Sequence, residues 1–158
     1  MDKYVIEGGN KLIGSVDVQS AKNSVLPLLA ASILTDKRVT IREAPNISDV
    51  ACMAQILREL GASVRFSGGN VTIDSANACC HEIPSSLTRE LRSSVFMLGS
   101  LLSRFGRALI AYPGGCDIGL RPIDLHLSAL KRLGVNISER DGFIFCECAK
   151  LKGAEILL

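Results

Sequence analysis

The 158-residue sequence has room for one domain of ordinary size, and its 47% hydrophobic content supplies a core and argues against disorder. Eighteen Lys and Arg stand against 16 Asp and Glu, a net charge of +2 that excludes a strongly basic nucleic-acid footprint. With 4% aromatics and no Trp there is no base-stacking platform, so the core must be aliphatic.

From Met1 to Gly9 no charged-then-apolar signal segment appears. The longest apolar stretch, Val25 to Leu34, is about ten residues and contains Pro27, where a membrane crossing needs about twenty. The expectation is a cytoplasmic protein without membrane insertion. Its six cysteines then read as reduced thiols, not as a disulfide framework. Lys3–Glu7 and Ser15–Val18 read as two opening strands around Gly8-Gly9 and Gly14.

Ala21–Ser32 predicts a helix apolar on nearly all sides, hence buried, with Lys22-Asn23 at its start. A lysine there is misplaced against the helix dipole, which favours an anion held by Lys22 and the backbone together; a solvated lysine is the plain alternative. A short strand, Arg38–Ile41, and a proline loop follow. An amphipathic helix then runs from Asp49, placed as its N-cap, to Gly61, placed just past its C-cap. Ala62–Phe66 and Asn70–Asp74 close the unit as a hairpin around Ser67-Gly68-Gly69.

The same order recurs roughly seventy residues later, as a duplicated supersecondary unit. Leu91-Arg92-Ser93-Ser94 opens a second buried helix to Leu102, with Arg92 in the place of Lys22. Ala108–Ala111 is its strand, and Asp124 caps a second amphipathic helix that ends at Gly134. Val135–Glu139 and Gly142–Glu147 form its hairpin around Arg140-Asp141. The chain ends on an apolar run, Ala154–Leu158, with no polar stop.

Between the second strand and helix lies the loop Tyr112-Pro113-Gly114-Gly115-Cys116-Asp117-Ile118-Gly119. Its glycines let backbone N–H groups face an anion, and the thiol at its tip can act as nucleophile or proton donor if nearby cations tune it. A tight turn with an incidental cysteine is the bland reading. Arg121 offers a planar fork for phosphate or carboxylate beside a helix N-terminus. Asp124 can cap and bind a ligand at once. Cys79-Cys80-His81 and Cys146-Glu147-Cys148 lack zinc-ribbon spacing, so no metal site is expected. Cys146, Cys148 and Cys52 read as core filling.

Ala21-Lys22-Asn23, Leu91-Arg92-Ser93-Ser94 and the run from Pro113 to His126 together resemble the UDP-N-acetylglucosamine 1-carboxyvinyltransferases, of the enolpyruvyl transferase family. The resemblance runs along the whole chain. It implies transfer of the enolpyruvyl group of phosphoenolpyruvate to the 3′-hydroxyl of UDP-N-acetylglucosamine with release of phosphate, the first committed step of peptidoglycan synthesis. It implies Cys116 as proton donor and as the thiol alkylated by fosfomycin. Lys22, Asn23 and Arg121 would bind phosphoenolpyruvate. Asn23, Arg92 and the segment Arg121, Pro122, Ile123, Asp124 and Leu125 would hold the UDP-sugar. No cofactor is called for. The sister family acting on shikimate 3-phosphate lacks the loop cysteine, so Cys116 argues against it.

The fold so implied is an α/β (α+β) inside-out barrel built from repeated helix–strand–helix–hairpin units, here in part. Residues 1–20 would belong to the other domain, and 21–158 would form two of three repeats of the Cys-loop domain. The aspartate base and an arginine of the other domain would lie beyond Leu158. Turnover by these residues alone is therefore not expected, binding of UDP-sugar or of a partner chain is the alternative, and the apolar face left by the missing repeat would invite self-association. Ser48 stands where some relatives have a lysine, and Phe96 where some have a tryptophan.

Overall fold

Residues 3–18, 20–113 and 122–157 are described by a computed structural model. Two copies of one unit build it. In the first, α1 (Lys22–Ala31) leads through a 3-10 turn at Ser32–Leu34 to β1 (Val39–Ile41), α2 (Ser48–Glu59), β2 (Ser63–Ser67) and β3 (Asn70–Asp74). A linker with α3 (Ser85–Glu90) precedes the second copy, in which a 3-10 turn at Arg92–Val95 opens α4 (Phe96–Phe105). Then come β4 (Arg107–Ala111), α5 (Asp124–Arg132), β5 (Asn136–Arg140) and β6 (Phe143–Glu147). The expected duplication holds strand for strand. Each unit closes an antiparallel three-stranded sheet with its last strand in the middle, ordered β1-β3-β2 and β4-β6-β5.

Alternation sets which face of each sheet is covered. In β3 Val71 and Ile73 are fully buried, and in β6 Ile144 and Cys146 are buried while Phe145 and Glu147 are exposed. The buried faces meet the helices: Leu26, Leu29, Met53, Leu57, Met97, Leu98 and Leu101 join them in one aliphatic cluster. Helices therefore lie inside and the sheets outside, the α/β arrangement expected of an inside-out barrel in part.

Both amphipathic helices end alike. Gly61, at φ 97°, and Gly134, at φ 90°, follow the C-caps Leu60 and Leu133. Around the first, Gly61 N–H bonds Arg58 O and Ala62 N–H bonds Leu57 O; around the second, Gly134 bonds Lys131 and Val135 bonds Leu130. These are paired Schellman closures, which need a left-handed residue and so a glycine.

Several expectations are corrected. Asp49 and Asp124 are not N-caps: Ile47 and Ile123 hold those positions, and their carbonyls accept the first helical bonds, from Val50 and Ala51 and from Leu127. The aspartates sit inside the first turns, where the dipole still favours them. The second hairpin turns at Asp141-Gly142, one residue later than expected, because a two-residue turn of this kind needs positive φ at both positions (52° and 79°). The first buried helix is not covered all round, since Leu28 stays 53% exposed. Helix α3 and the 3-10 turn before α4 were not foreseen.

Residues 3–18 form no strand, and each is exposed. A strand needs a partner for its backbone groups, and none of the described residues pairs with this segment. Residues 154–157 likewise form no strand, with Leu157 92% exposed. Among the described residues no helix is long and apolar enough to cross a membrane.

Candidate active site

Lys22 is the first residue of α1, and the preceding Ala21 supplies the carbonyl that receives Ser24 and Val25 N–H. No acidic residue occupies that first turn. Lys22 is nevertheless not unpaired, as the sequence suggested. Its Nζ lies 2.5 Å from Oδ2 of Asp49, in the first turn of α2, with the lysine half-exposed and the aspartate less so. The two helix starts are thus laid side by side by the packing of α1 on α2, and their charges meet there. Asn23 beside them is exposed. Pro27, inside α1, has no amide hydrogen, so the Asn23 carbonyl four residues back lacks its usual helical donor.

Arg92 corresponds to Lys22 only in part. It begins a 3-10 turn, not the α-helix, and is half-buried; among the described residues no carboxylate pairs with it. Its neighbour Ser94 is buried and donates its hydroxyl to Thr88 O at 3.4 Å. Ser48 and Phe96, each the first residue of its helix, are exposed, Phe96 to 38%.

Of the second-unit loop, Cys116 and Arg121 lie outside the described residues, with the rest of 114–121. The structure describes its two bases. On one side Tyr112 N–H bonds Gly142 O at 2.9 Å, and its phenol donates to the Glu139 carboxylate of β5. That bond to a carboxylate raises the Tyr112 pKa, with desolvation and the Glu139 charge adding to it. On the other side Pro122 is exposed, Ile123 is buried at 6%, and Asp124 and Leu125 are exposed at the start of α5, Leu125 to 58%. Tyr112, Pro122, Asp124, Lys131 and Glu139 line a cavity of about 400 Å³ between these bases. Sequence reading missed the Tyr112–Glu139 and Lys22–Asp49 pairs. Their partners come from different elements, and no local pattern announces them.

The buried thiols are inert. Burial first, and neighbouring carboxylates after it, push Cys52 up to about 11; burial, then Cys148 and Glu139, push Cys146 to about 11. Among the described residues no three His, Cys, Asp or Glu side chains gather as metal ligands. Among the described residues the arrangement thus sets the Lys22–Asp49 pair at the start of α1 and a half-buried Arg92 at the corresponding place in the second unit.

Two repeated helix–strand–helix–hairpin units, each closing a three-stranded sheet over one aliphatic cluster, define a class, and direct comparison names it. The chain belongs to the EPSP synthase (3-phosphoshikimate 1-carboxyvinyltransferase) family, which it matches over residues 6–158. Among curated relatives it is 48% identical, over its whole length, to UDP-N-acetylglucosamine 1-carboxyvinyltransferase 2 of Caldanaerobacter subterraneus subsp. tengcongensis. It is 44% identical to UDP-N-acetylglucosamine 1-carboxyvinyltransferase 1 of Clostridium acetobutylicum, again over 100% of this chain. The chain spans 38% of the length of each. Among solved structures, the enolpyruvyl transferase NikO from Streptomyces tendae superposes with a TM-score of 0.78 at 27% identity, over 92% of this chain and 32% of that one. EPSP synthase from Acinetobacter baumannii shares the fold, with a TM-score of 0.60 at 16% identity over 90% of this chain and 35% of that one.

Proposed function

We propose that these residues form one side of the active site of an enzyme that transfers the enolpyruvyl group of phosphoenolpyruvate to the 3′-hydroxyl of UDP-N-acetylglucosamine. The observation carrying this is the 48% identity over the whole chain, a span that contains the Cys116 loop, to a relative bearing that activity in its name. In this reading the sugar hydroxyl oxygen adds to the enol carbon of phosphoenolpyruvate while Cys116 gives a proton to the methylene carbon. Phosphate then leaves as a proton is lost from the new methyl group, which restores the vinyl ether. Lys22, Asn23 and Arg121 bind the phosphoenolpyruvate, whose clustered negative charge also calls for cations that favour the thiolate. Asn23, Arg92, Arg121, Pro122, Ile123, Asp124 and Leu125 hold the UDP-sugar.

The Lys22–Asp49 pair does not obstruct this. A half-exposed ion pair is worth about 0–1 kcal/mol, less than a phosphate gains from lysine and helix start together. Residues 1–20 are proposed to pair with the other domain, in keeping with the exposed apolar side chains of Tyr4, Val5, Ile6, Leu12, Ile13, Val16 and Val18. The setting proposed is the bacterial cytoplasm and cell-wall synthesis, hence cell shape and division. A second reading applies to the 158 residues by themselves: UDP-sugar binding without turnover, with self-association through exposed apolar side chains such as Tyr4, Ile6, Leu12 and Ile13, each more than 80% exposed.

Fosfomycin labelling followed by mass spectrometry tests the site. Cys116 should be alkylated ahead of the other five cysteines, and faster with UDP-N-acetylglucosamine present. Uniform labelling, or labelling that spares Cys116, overturns the assignment. Phosphate release with both substrates separates the two readings, because binding without release favours the second.

A further inference from the structure

The linker between the two units carries two adjacent cysteines that the proposed reaction does not use. Both Cys79 and Cys80 are exposed, and their sulfurs lie 4.0 Å apart. In an extended chain neighbouring side chains point to opposite faces, so thiols on one side require a turned backbone. The fold supplies the turn. The N–H groups of Cys79 and Cys80 both converge on Leu60 O, at 3.1 and 3.3 Å, which consecutive amides of an extended strand cannot do. Leu60 is the C-cap of α2, and the glycine after it lets the linker approach: a Cβ on Gly61 would stand 2.9 Å from Asn77 O. Beyond the thiols, Leu109 N–H bonds His81 O and Ile83 N–H bonds Leu109 O, which pins the segment to β4.

We propose that Cys79 and Cys80 are a vicinal dithiol, a modification site that a small cationic disulfide oxidises reversibly to a disulfide within the chain. A cavity of about 590 Å³ opens on the pair and is lined also by Glu59, Glu82 and Ser85, so it has room for such a molecule and favours a positive one. Cys79 attacks one sulfur of the reagent as thiolate, forming a mixed disulfide and releasing one reagent thiol. Cys80 then loses its proton and attacks the Cys79 sulfur, closing the ring and releasing the second thiol. The protein loses two electrons and two protons, and the reagent is reduced to two thiols. Adjacent Cα atoms are about 3.8 Å apart, below the usual disulfide range of about 4.4–6.8 Å, so the ring is strained and easily reduced. Cys52 and Cys146 are buried and compete poorly.

The probe is cystamine, applied to the reduced chain, with quenched samples read by peptide mass. The peptide holding residues 79 and 80 should lose two hydrogens without retaining an adduct, and dithiothreitol should reverse the change. Cys79→Ser and Cys80→Ser should each stop at a stable adduct. Because the folded backbone aims the thiols at each other, ring closure should be about tenfold faster in buffer than in denaturing urea. A persistent adduct on the wild-type chain, preferential reaction at Cys148, or equal closure rates with and without urea would each overturn the proposal.

Discussion

Arg104, in the last turn of α4, ties the second unit to the first. Its guanidinium donates to Ile33 O at 2.6 Å, Thr35 O at 3.0 Å and Ser75 O at 2.7 Å. Ser75, fully buried, donates in turn to Ser32 O and Thr35 O. Two of the arginine's acceptors lie in and just past the 3-10 turn that ends α1, where carbonyls have no helical donor and a cation meets the negative end of the dipole. Removing the donor strands several partly buried carbonyls, so Arg104→Ala should cost about 2–4 kcal/mol in urea unfolding. Arg104→Lys, which keeps the charge but not the fork, should recover only part of that. A loss under about 0.5 kcal/mol for the alanine variant would show that water replaces the guanidinium. Nothing near Arg104 in sequence marks this role, since its acceptors lie 29 to 71 residues away.

The two units place equivalent glycines after α2 and α5, but the packing around them differs. At Gly61 a side chain would meet the Asn77 carbonyl at 2.9 Å, backbone that cannot step aside. At Gly134 the nearest atoms belong to the flexible Lys152 side chain, at 3.8 Å. Gly134→Ala should therefore cost only the left-handed conformation, about 1–2 kcal/mol. Gly61→Ala should cost clearly more and should also disturb the linker that carries Cys79 and Cys80. Chemical denaturation of both variants checks this, and equal losses would contradict the close approach. Both C′ glycines and the two hairpins were legible in the sequence because turn chemistry is local. The N-caps were not. Asp49 and Asp124 look like caps in sequence, yet the chain enters each helix one or two residues earlier, through isoleucines that pack on the core.

At the scale of the molecule, one aliphatic cluster spans both units, and residues 3–18 take no part in it. Tyr4 is 96% exposed and Val18 95%, and among the described residues no backbone hydrogen bond ties the segment to the rest. Deleting residues 3–18 should leave the unfolding free energy of the chain unchanged within about 0.5 kcal/mol. It should also reduce self-association, read by sedimentation. A marked drop in stability would mean that the segment packs on the units in solution.

The residues by themselves determined the repeat, its helices and hairpins, the family, and a short set of anion-binding candidates. Each of these rests on local chemistry: apolar periodicity, positive-φ glycines and a motif of consecutive residues. Tertiary structure alone decided that Lys22 shares its charge with Asp49 and that Tyr112 leans on Glu139. It decided too that Arg104 closes the end of α1, and that adjacent cysteines face the same way. All four depend on which helix ends and strand edges are brought together. Burying the aliphatic cluster sets those distances, and the order of residues along the chain does not.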